Sequence, residues 1–435
     1  MALLTIINNT HFKQFNKTAN KLLDEDKFFI NVGSKLNINY AFRAGDSYFV
    51  KLEQKLGNVG KLGYFLQKDV EVQVEEVRGI WLTNVDSDIL HSRTNLEKGL
   101  QRIKHLGFNT IYPVVWQRGF TLYPSEVAQD FTGFSVMENP SFFQNRDMLA
   151  EIIEVAKPLG LRVIPWFEYG LMAPPNSPLA QKHQDLLTLD VRQNTIRLKS
   201  HDNNKPDIQV WLNLCQPKVQ KFIVDLIADV AQRYEIDGIQ LDDHFGFPIE
   251  MGYDLFTQNL YKTEQKVDVV PFNHQNPNWI DWASTKTTEL LKKISHAVKS
   301  KRSDCSISIS PNPLAFAKKY YSAPWDAWAE KGLAEEIVLQ VYRDNLPSFV
   351  AEISKREVAK AQKYLPVSIG ILSGLKNKPI PLELIKEQIR QTRTTNLAGV
   401  SFFFYETFFN EINLNRSNQL QITARDLSML QNLFA

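Results

Sequence analysis

The 435-residue sequence predicts an α/β protein: a (β/α)8 barrel of the TIM type over residues 77–435, preceded by a small β-rich domain over residues 1–76. Three observations carry this expectation. From Arg78 onward, short apolar runs of strand character alternate with longer segments of helical periodicity, and eight such runs can be counted. That is more than a doubly wound open sheet usually carries, and no glycine-rich nucleotide turn follows the first run. Ahead of Arg78 the texture differs, with short β-type runs separated by turn residues.

Taken in order, the N-terminal runs are FFINV, KLNINYAF, YFVKL and YFLQKDVEVQV, with RAGD (Arg43 to Asp46) as a hairpin turn between two of them. This pattern resembles a small β-barrel of the bacterial SH3-like kind, which implies either a structural cap on the main domain or a glycan-binding module. The barrel strands are expected at RGIWLTN, TIYPVVW, RVIPWFEYG, GIQLDDHF, SISISPNP, EIVLQVY, LPVSIGIL and GVSFFFYE. Helical segments lie between them. NLEKGLQRIKHLGF, RDMLAEIIEVAKPLGL, PKVQKFIVDLIADVAQRYEI, DWASTKTTELLKKISHAVKSK, FVAEISKREVAKAQKYL and LELIKEQIRQTRTTNL each repeat apolar residues at helical spacing and so have one face to bury. A shorter connection, PWDAWAEKGLAEE, precedes the sixth strand. The long stretch from about Leu171 to Gln216 contains TLDVRQNTIRL, read as a small hairpin, and a second long stretch runs on to Trp279. Long excursions on one face usually build a substrate cleft.

Composition narrows the function classes. The chain is 43% hydrophobic and 23% charged, ordinary for a large globular core. A net charge of +2 gives no electrostatic case for nucleic acid or an anionic membrane. Cys215 and Cys305 form neither a disulfide framework nor a zinc motif. The N-terminus MALLTIINNTHFKQFNKTANKL reads as having no signal peptide and no transmembrane segment, which suggests a cytoplasmic protein or a trimmed chain. Eight tryptophans suit a sugar-binding cleft, although large cores use them too.

In barrels of this type the chemistry lies at the C-terminal strand ends, so polar residues there are candidates. They are Thr83, Asn84 and Asp86; Trp116, Gln117 and Arg118; Trp166, Glu168 and Tyr169; Asp242, Asp243 and His244; Ser310 and Asn312; Gln340, Tyr342, Arg343 and Asp344; Ser373; and Tyr405 and Glu406. A ring of acids among aromatics is what glycoside hydrolysis needs. One carboxylic acid protonates the leaving oxygen, and a second carboxylate attacks the anomeric carbon or activates water. The same acids could instead pair with Arg118 and Arg343 as salt bridges at the barrel mouth. On the fourth strand, alternation puts Asp242 and His244 on one face and Asp243 on the other. One Asp should face the mouth while the other supports it. A metal site through Asp242 and His244 competes with this reading. However, hydrolytic metal sites on barrels usually need several strand-end histidines, and the other seven lie elsewhere. No metal or cofactor is therefore expected.

The ordered motifs RGIWLTNVDSDIL, LGFNTIYPVVW, RDMLAEIIEVAKPLGLRVIPWFEYG and WLNLCQPKVQKFIVDLIADVAQRYEIDGIQLDDHF resemble the glycosyl-hydrolase-10-like (GHL10) family, from about Arg78 to the end of the barrel. That family is similar to the α-amylase-like and α-galactosidase-like barrels. The resemblance implies an envelope glycosidase, with some members cutting peptidoglycan glycan strands stripped of their peptides, and hence a periplasmic or envelope location. DGIQLD is similar to the DGFRLD strand of α-amylase-like enzymes, and this implies Asp242 as nucleophile. Gln240 stands where those enzymes have Arg, and SISISPNP lacks the Glu that their fifth strand carries. The proton donor must then come from elsewhere. Glu168, beside Trp166 and Phe167, is the first choice, with Glu406 and Asp344 as alternatives.

The sequence thus predicts a glycoside hydrolase acting on a polysaccharide. Its catalytic candidates are Asp242, Asp243, Glu168 and Glu406. Its substrate contacts are expected among Trp116, Trp166, Trp211, Asn213, His244, Gln340, Tyr342 and Asp344. The alternatives are a barrel that binds envelope glycan without cleaving it and a metal-dependent hydrolase.

Overall fold

Apolar runs become strands here according to how much of each run is enclosed. GIQLD, SISIS and EIVLQ are buried at every position, as strands covered on both faces must be. In the computed structural model, which describes residues 2–138, 141–199, 207–375, 378–412 and 434, these runs form one all-parallel sheet. Its members in chain order are Val77–Leu82, Thr110–Pro113, the pair Arg162–Val163 and Trp166–Phe167, Gly238–Asp242, Ser306–Ser310, Glu336–Gln340, Val367–Leu372 and Gly399–Phe403. Each of the eight expected runs contributes.

The sheet has nine segments by hydrogen bonding, and its two terminal ones are halves of a single run, RVIPWF. Arg162–Val163 pairs with the second strand and Trp166–Phe167 with the fourth. Pro165 has no N–H to give the ladder, which explains the break. Bonding still passes through it, since Ile164 N donates to Ile111 O at 3.0 Å and Gln240 N donates to Pro165 O at 2.8 Å. The sheet therefore curls round, barrel-like, until its ends meet in one segment.

Helices cover the outside by their apolar faces. Pro217–Arg233 buries Val219, Phe222, Ile223, Leu226, Ile227 and Val230, and packs beside Pro277–Lys301. FVAEISKREVAKAQKYL divides into two helices, Leu346–Ile353 and Arg356–Gln362. No helix among the described residues is long and apolar enough to cross a membrane.

The first residues form a seven-stranded antiparallel sheet that includes Ala2–Ile6 and Thr10–Lys13, two strands the sequence reading omits. The RAGD turn is a two-residue hairpin, with Ala44 opposite Ser47. The sheet has its own core of Leu4, Ile6, Phe12, Val50 and Phe65. A second apolar cluster, Tyr40, Phe42, Phe49 and Tyr64 with Val77 and Ala398, seats it on the barrel. Val77 opens the first strand and Ala398 precedes the eighth, so this contact lies where the strands begin. Arg162 is enclosed there under the rings of Tyr40 (4.5 Å) and Phe42 (4.7 Å), 3.4 Å from Glu336. Lys51 meets Asp237 at 2.9 Å. The strand ends bearing the acids are at the opposite pole.

Candidate active site

The fourth strand carries Gln240 and then Asp242 on its inward face. Gln240 is fully enclosed, accepting from Trp81 Nε1 at 2.8 Å and donating to Ser308 Oγ at 3.1 Å. The position where the amylase-like strand has Arg is therefore part of the barrel core. Two residues on, Asp242 reaches the mouth, and it is 7% exposed. Its Oδ1 accepts from Gln340 Nε2, at the end of the sixth strand, at 2.6 Å; the same amide donates to Ser310 O at 2.9 Å. The orienting donor that Gln240 does not supply thus arrives from two strands away. Asp243 turns toward the fifth strand's loop, where Asn312 Nδ2 donates to its Oδ2 at 2.5 Å. The strand ends at Asp242, so Asp243 and His244 belong to the turn that follows, and strand alternation does not extend to them.

His244 follows. Its Nδ1 lies 3.0 Å from the Glu168 carbonyl oxygen, 3.4 Å from Asp243 Oδ1 and 3.8 Å from Asp242 Oδ2. The rings of Tyr169, Trp211 and Tyr321 surround it. A proton on Nδ1 is thus offered three oxygens, and with it there that nitrogen is not a metal ligand. One ligand atom from each of Asp242, Asp243 and His244 falls within 4.8 Å of the others.

Glu168 stands past the third strand, partly open to the cleft, with Oε2 buried and without a hydrogen-bond partner. Burial raises its carboxyl to about 8; the Arg118 charge opposes that rise, Asp243 adds to it, and a hydrogen bond to Gln117 opposes it. Burial and then the neighbouring Asp243 charge hold Asp242 well above the ordinary carboxylate range, with Glu168 adding to the effect. The Asp242 and Asp243 carboxyls are also hydrogen-bonded to each other. Tyr342 is pushed up by burial and then by the charges of Asp242, Asp243 and Glu168, so its phenol belongs to the same site. Its ring stacks on Phe403 at 5.7 Å. Trp166 forms part of the floor against Trp81 and Phe403, with its indole N–H unpartnered.

Glu168, Asp242, Asp243, His244, Gln340 and Tyr342 therefore come together, over Trp166. Several other expected residues do not. Trp116 is fully enclosed, donates Nε1 to Gly170 O at 2.9 Å and packs on Phe222. Trp211 is likewise enclosed, bonded to Gly246 O and covered by Tyr321. Neither can stack on a sugar; both anchor loops. Asn213 is buried in a turn, donating to Thr257 and accepting from Cys215 N. Glu406 accepts from Ser87 Oγ and Asp88 N, tying down the loop after the first strand. Asp344 is exposed and bonded to Asn345. Gln117 joins the site although the sequence gives it no role there. It holds Glu168 and accepts from Asn84 at 3.3 Å, and its place at a strand end is its only signal.

A parallel barrel-like sheet with clustered acids at its C-terminal strand ends is the architecture of glycoside hydrolase-like proteins. The chain belongs to the glycosyl hydrolase-like 10 family, whose description matches residues 76–391. It is 25% identical over 312 residues to glycosyl hydrolase DigH of Escherichia coli O6:H1 strain CFT073 and to that of strain K12. The match covers 62% of this chain and 66% of each relative, so the chain spans just under two thirds of their length. Among solved structures it resembles the PgaB (BpsB) glycoside hydrolase domain from Bordetella bronchiseptica, with TM-score 0.56 and 13% identity, covering 83% of this chain and 99% of that one. The catalytic domain of β-amylase from Paenibacillus polymyxa gives TM-score 0.54 and 12% identity, covering 82% and 97%. These are likenesses of fold.

Proposed function

We propose that this chain hydrolyses glycosidic bonds of a polysaccharide by two-carboxylate chemistry, and that its substrate is the peptide-free glycan strand of peptidoglycan. Glu168 is the proton donor. Protonated near neutrality and partly open to the cleft, it can give its proton to the leaving oxygen. Asp242 and Asp243 share one proton at that pH, as two close carboxyls do. As positive charge develops at the anomeric carbon, the single negative charge of the pair stabilises it, with Asp242 the member facing the sugar. Gln340 and His244 hold the pair in place, and Tyr342 lines the sugar pocket above the buried Trp166. The N-terminal β-unit, divided from the barrel at residues 76 and 77, is an SH3-like module closing the far end of the barrel.

The observation that carries this reading is the convergence of Glu168, Asp243 and Asp242 around His244, whose Nδ1 lies 3.0 Å from the Glu168 carbonyl, 3.4 Å from Asp243 Oδ1 and 3.8 Å from Asp242 Oδ2. The substrate assignment rests on the family. The test compares purified chain, Asp242→Asn and Glu168→Gln on peptide-free glycan strands. Shortened products are expected from the wild type, and at least about 100-fold less from either variant. Binding by all three with product from none would make the protein a glycan-binding barrel instead. A metal-dependent hydrolysis has one specific support, the convergence of Asp242, Asp243 and His244. Activity abolished by a chelator and restored by a divalent cation would favour it over the two-carboxylate scheme.

A further inference from the structure

The second strand run does not stop at its barrel segment. It continues into Trp116–Gln117, which folds back antiparallel on Phe120–Thr121, with Trp116 opposite Thr121 and Gln117 opposite Phe120. Only Arg118 and Gly119 make the turn, with φ of 54° and 83°. Tight hairpins of this kind need positive φ at both central residues, which favours Asn-Gly or Asp-Gly. A long side chain in the left-handed region is an uncommon choice, and such outliers are enriched at ligand clamps. The hairpin is braced from below, because a Cβ on Gly119 would meet Leu179 Cβ at 3.1 Å.

Arg118 directly follows Gln117, the residue that hydrogen-bonds Glu168, and its charge acts on Glu168 as well. Arg118 is exposed. Arg343, past the sixth strand, pairs with Glu352 at 3.0 Å. An exposed guanidinium in a fixed hairpin matches a planar anion by two parallel N–H donors.

We propose that Arg118 is a specificity-determining residue that binds a carboxylate carried by the sugar next to the scissile bond. It therefore selects acidic glycans over neutral ones. This rests on the hydrolase reading above and sharpens it. Peptide-free peptidoglycan strands carry such a group, the lactyl carboxylate of each N-acetylmuramic acid.

The experiment uses full-length protein and two forms of one substrate: peptide-free glycan strands with free lactyl carboxylates, and the same strands with those carboxylates amidated. The wild type should show KM at least about tenfold lower on the free form. Arg118→Ala should raise KM about tenfold more on free strands than on amidated ones, while the effect of its lost charge on Glu168 appears equally on both; Arg118→Lys should recover part of the loss. Equal losses on both forms would show that Arg118 acts only through the charge it sets at Glu168, and would overturn the proposal. Binding of both forms to wild type and Arg118→Ala is measured in parallel by calorimetry. If no form is cleaved, the hydrolase reading fails, while a preference for free strands that Arg118→Ala abolishes still supports the carboxylate site. Absence of that preference in the wild type sinks it.

Discussion

Gln340 donates its side-chain amide to Asp242 at 2.6 Å, from a strand two places away in the sheet. A neutral donor on a buried carboxylate favours the charged form, and it acts here beside the Asp243 backbone N–H, which does the same. Removing it in Gln340→Leu should raise Asp242 further. The acidic limb of the kcat/KM profile should move to higher pH, and kcat/KM at neutrality should fall by about 100-fold. A profile whose acidic limb stays in place would mean that Asp242 is not the carboxylate whose ionisation activity reports.

In the proposed scheme Glu168 sets the other side of the profile. A donor with a carboxyl at about 8 is protonated at neutrality and loses its proton above that. Activity should decline above pH 8 in the wild type. Glu168→Gln should lose this limb along with about 100- to 10,000-fold of kcat on natural glycan. Aryl glycosides whose leaving group needs no protonation should be cleaved by the variant with a much smaller deficit.

Proton binding at Glu168 also couples to folding. Its carboxyl rises from an ordinary 4.5 to about 8 in the folded chain, so the folded state holds this proton more tightly than the unfolded one. The resulting contribution to stability is complete below pH 4.5 and is lost as pH climbs toward 8. Glu168→Gln does not titrate, so its stability relative to wild type should grow across that window. Each tenfold difference in proton affinity is worth about 1.4 kcal/mol, and water at the open side of the cleft screens part of the total, leaving about 2 kcal/mol at pH 8.5. Urea titrations of both proteins at pH 5 and 8.5 measure this. Parallel stability curves would place the proton elsewhere in the cluster.

Legibility from sequence differs by element. The eight barrel runs can be read because a strand buried on both faces is a short apolar block between turn residues, and the helices because their faces alternate. The different partners of Asp242 and Asp243 are legible only in part, because the strand ends at Asp242 and Asp243 lies in the turn beyond it. Trp116 and Trp211 cannot be assigned this way. A tryptophan near a strand end is either a sugar platform or a loop anchor, and only the carbonyls of Gly170 and Gly246 decide. Glu406 misleads for the same reason, because its partners Ser87 and Asp88 lie more than 300 residues away in the chain. Gln340 stands out as a strand-end amide, but its service to Asp242 depends on two strand crossings that no local pattern encodes.

The far pole of the barrel offers a test that separates stability from chemistry. Arg162 and Glu336 are 7% and 2% exposed, 3.4 Å apart, under the Tyr40 and Phe42 rings of the N-terminal sheet. Breaking a buried pair from one side strands the other charge, at a cost of about 3–5 kcal/mol. Arg162→Met should be destabilised by that amount and should loosen the N-terminal sheet, which rests on this side chain. Adding Glu336→Gln removes the stranded charge and should return roughly half of the loss. Because the pair lies where the strands begin, the pH limbs set by Glu168 and Asp242 should be the same in both variants as in the wild type. Thermal denaturation with limited proteolysis of residues 1–76 reads the first effect, and pH–rate profiles read the second. If either variant shifted a limb, the two poles of the barrel would be coupled, and the N-terminal sheet would have to be counted among the elements that position the acids.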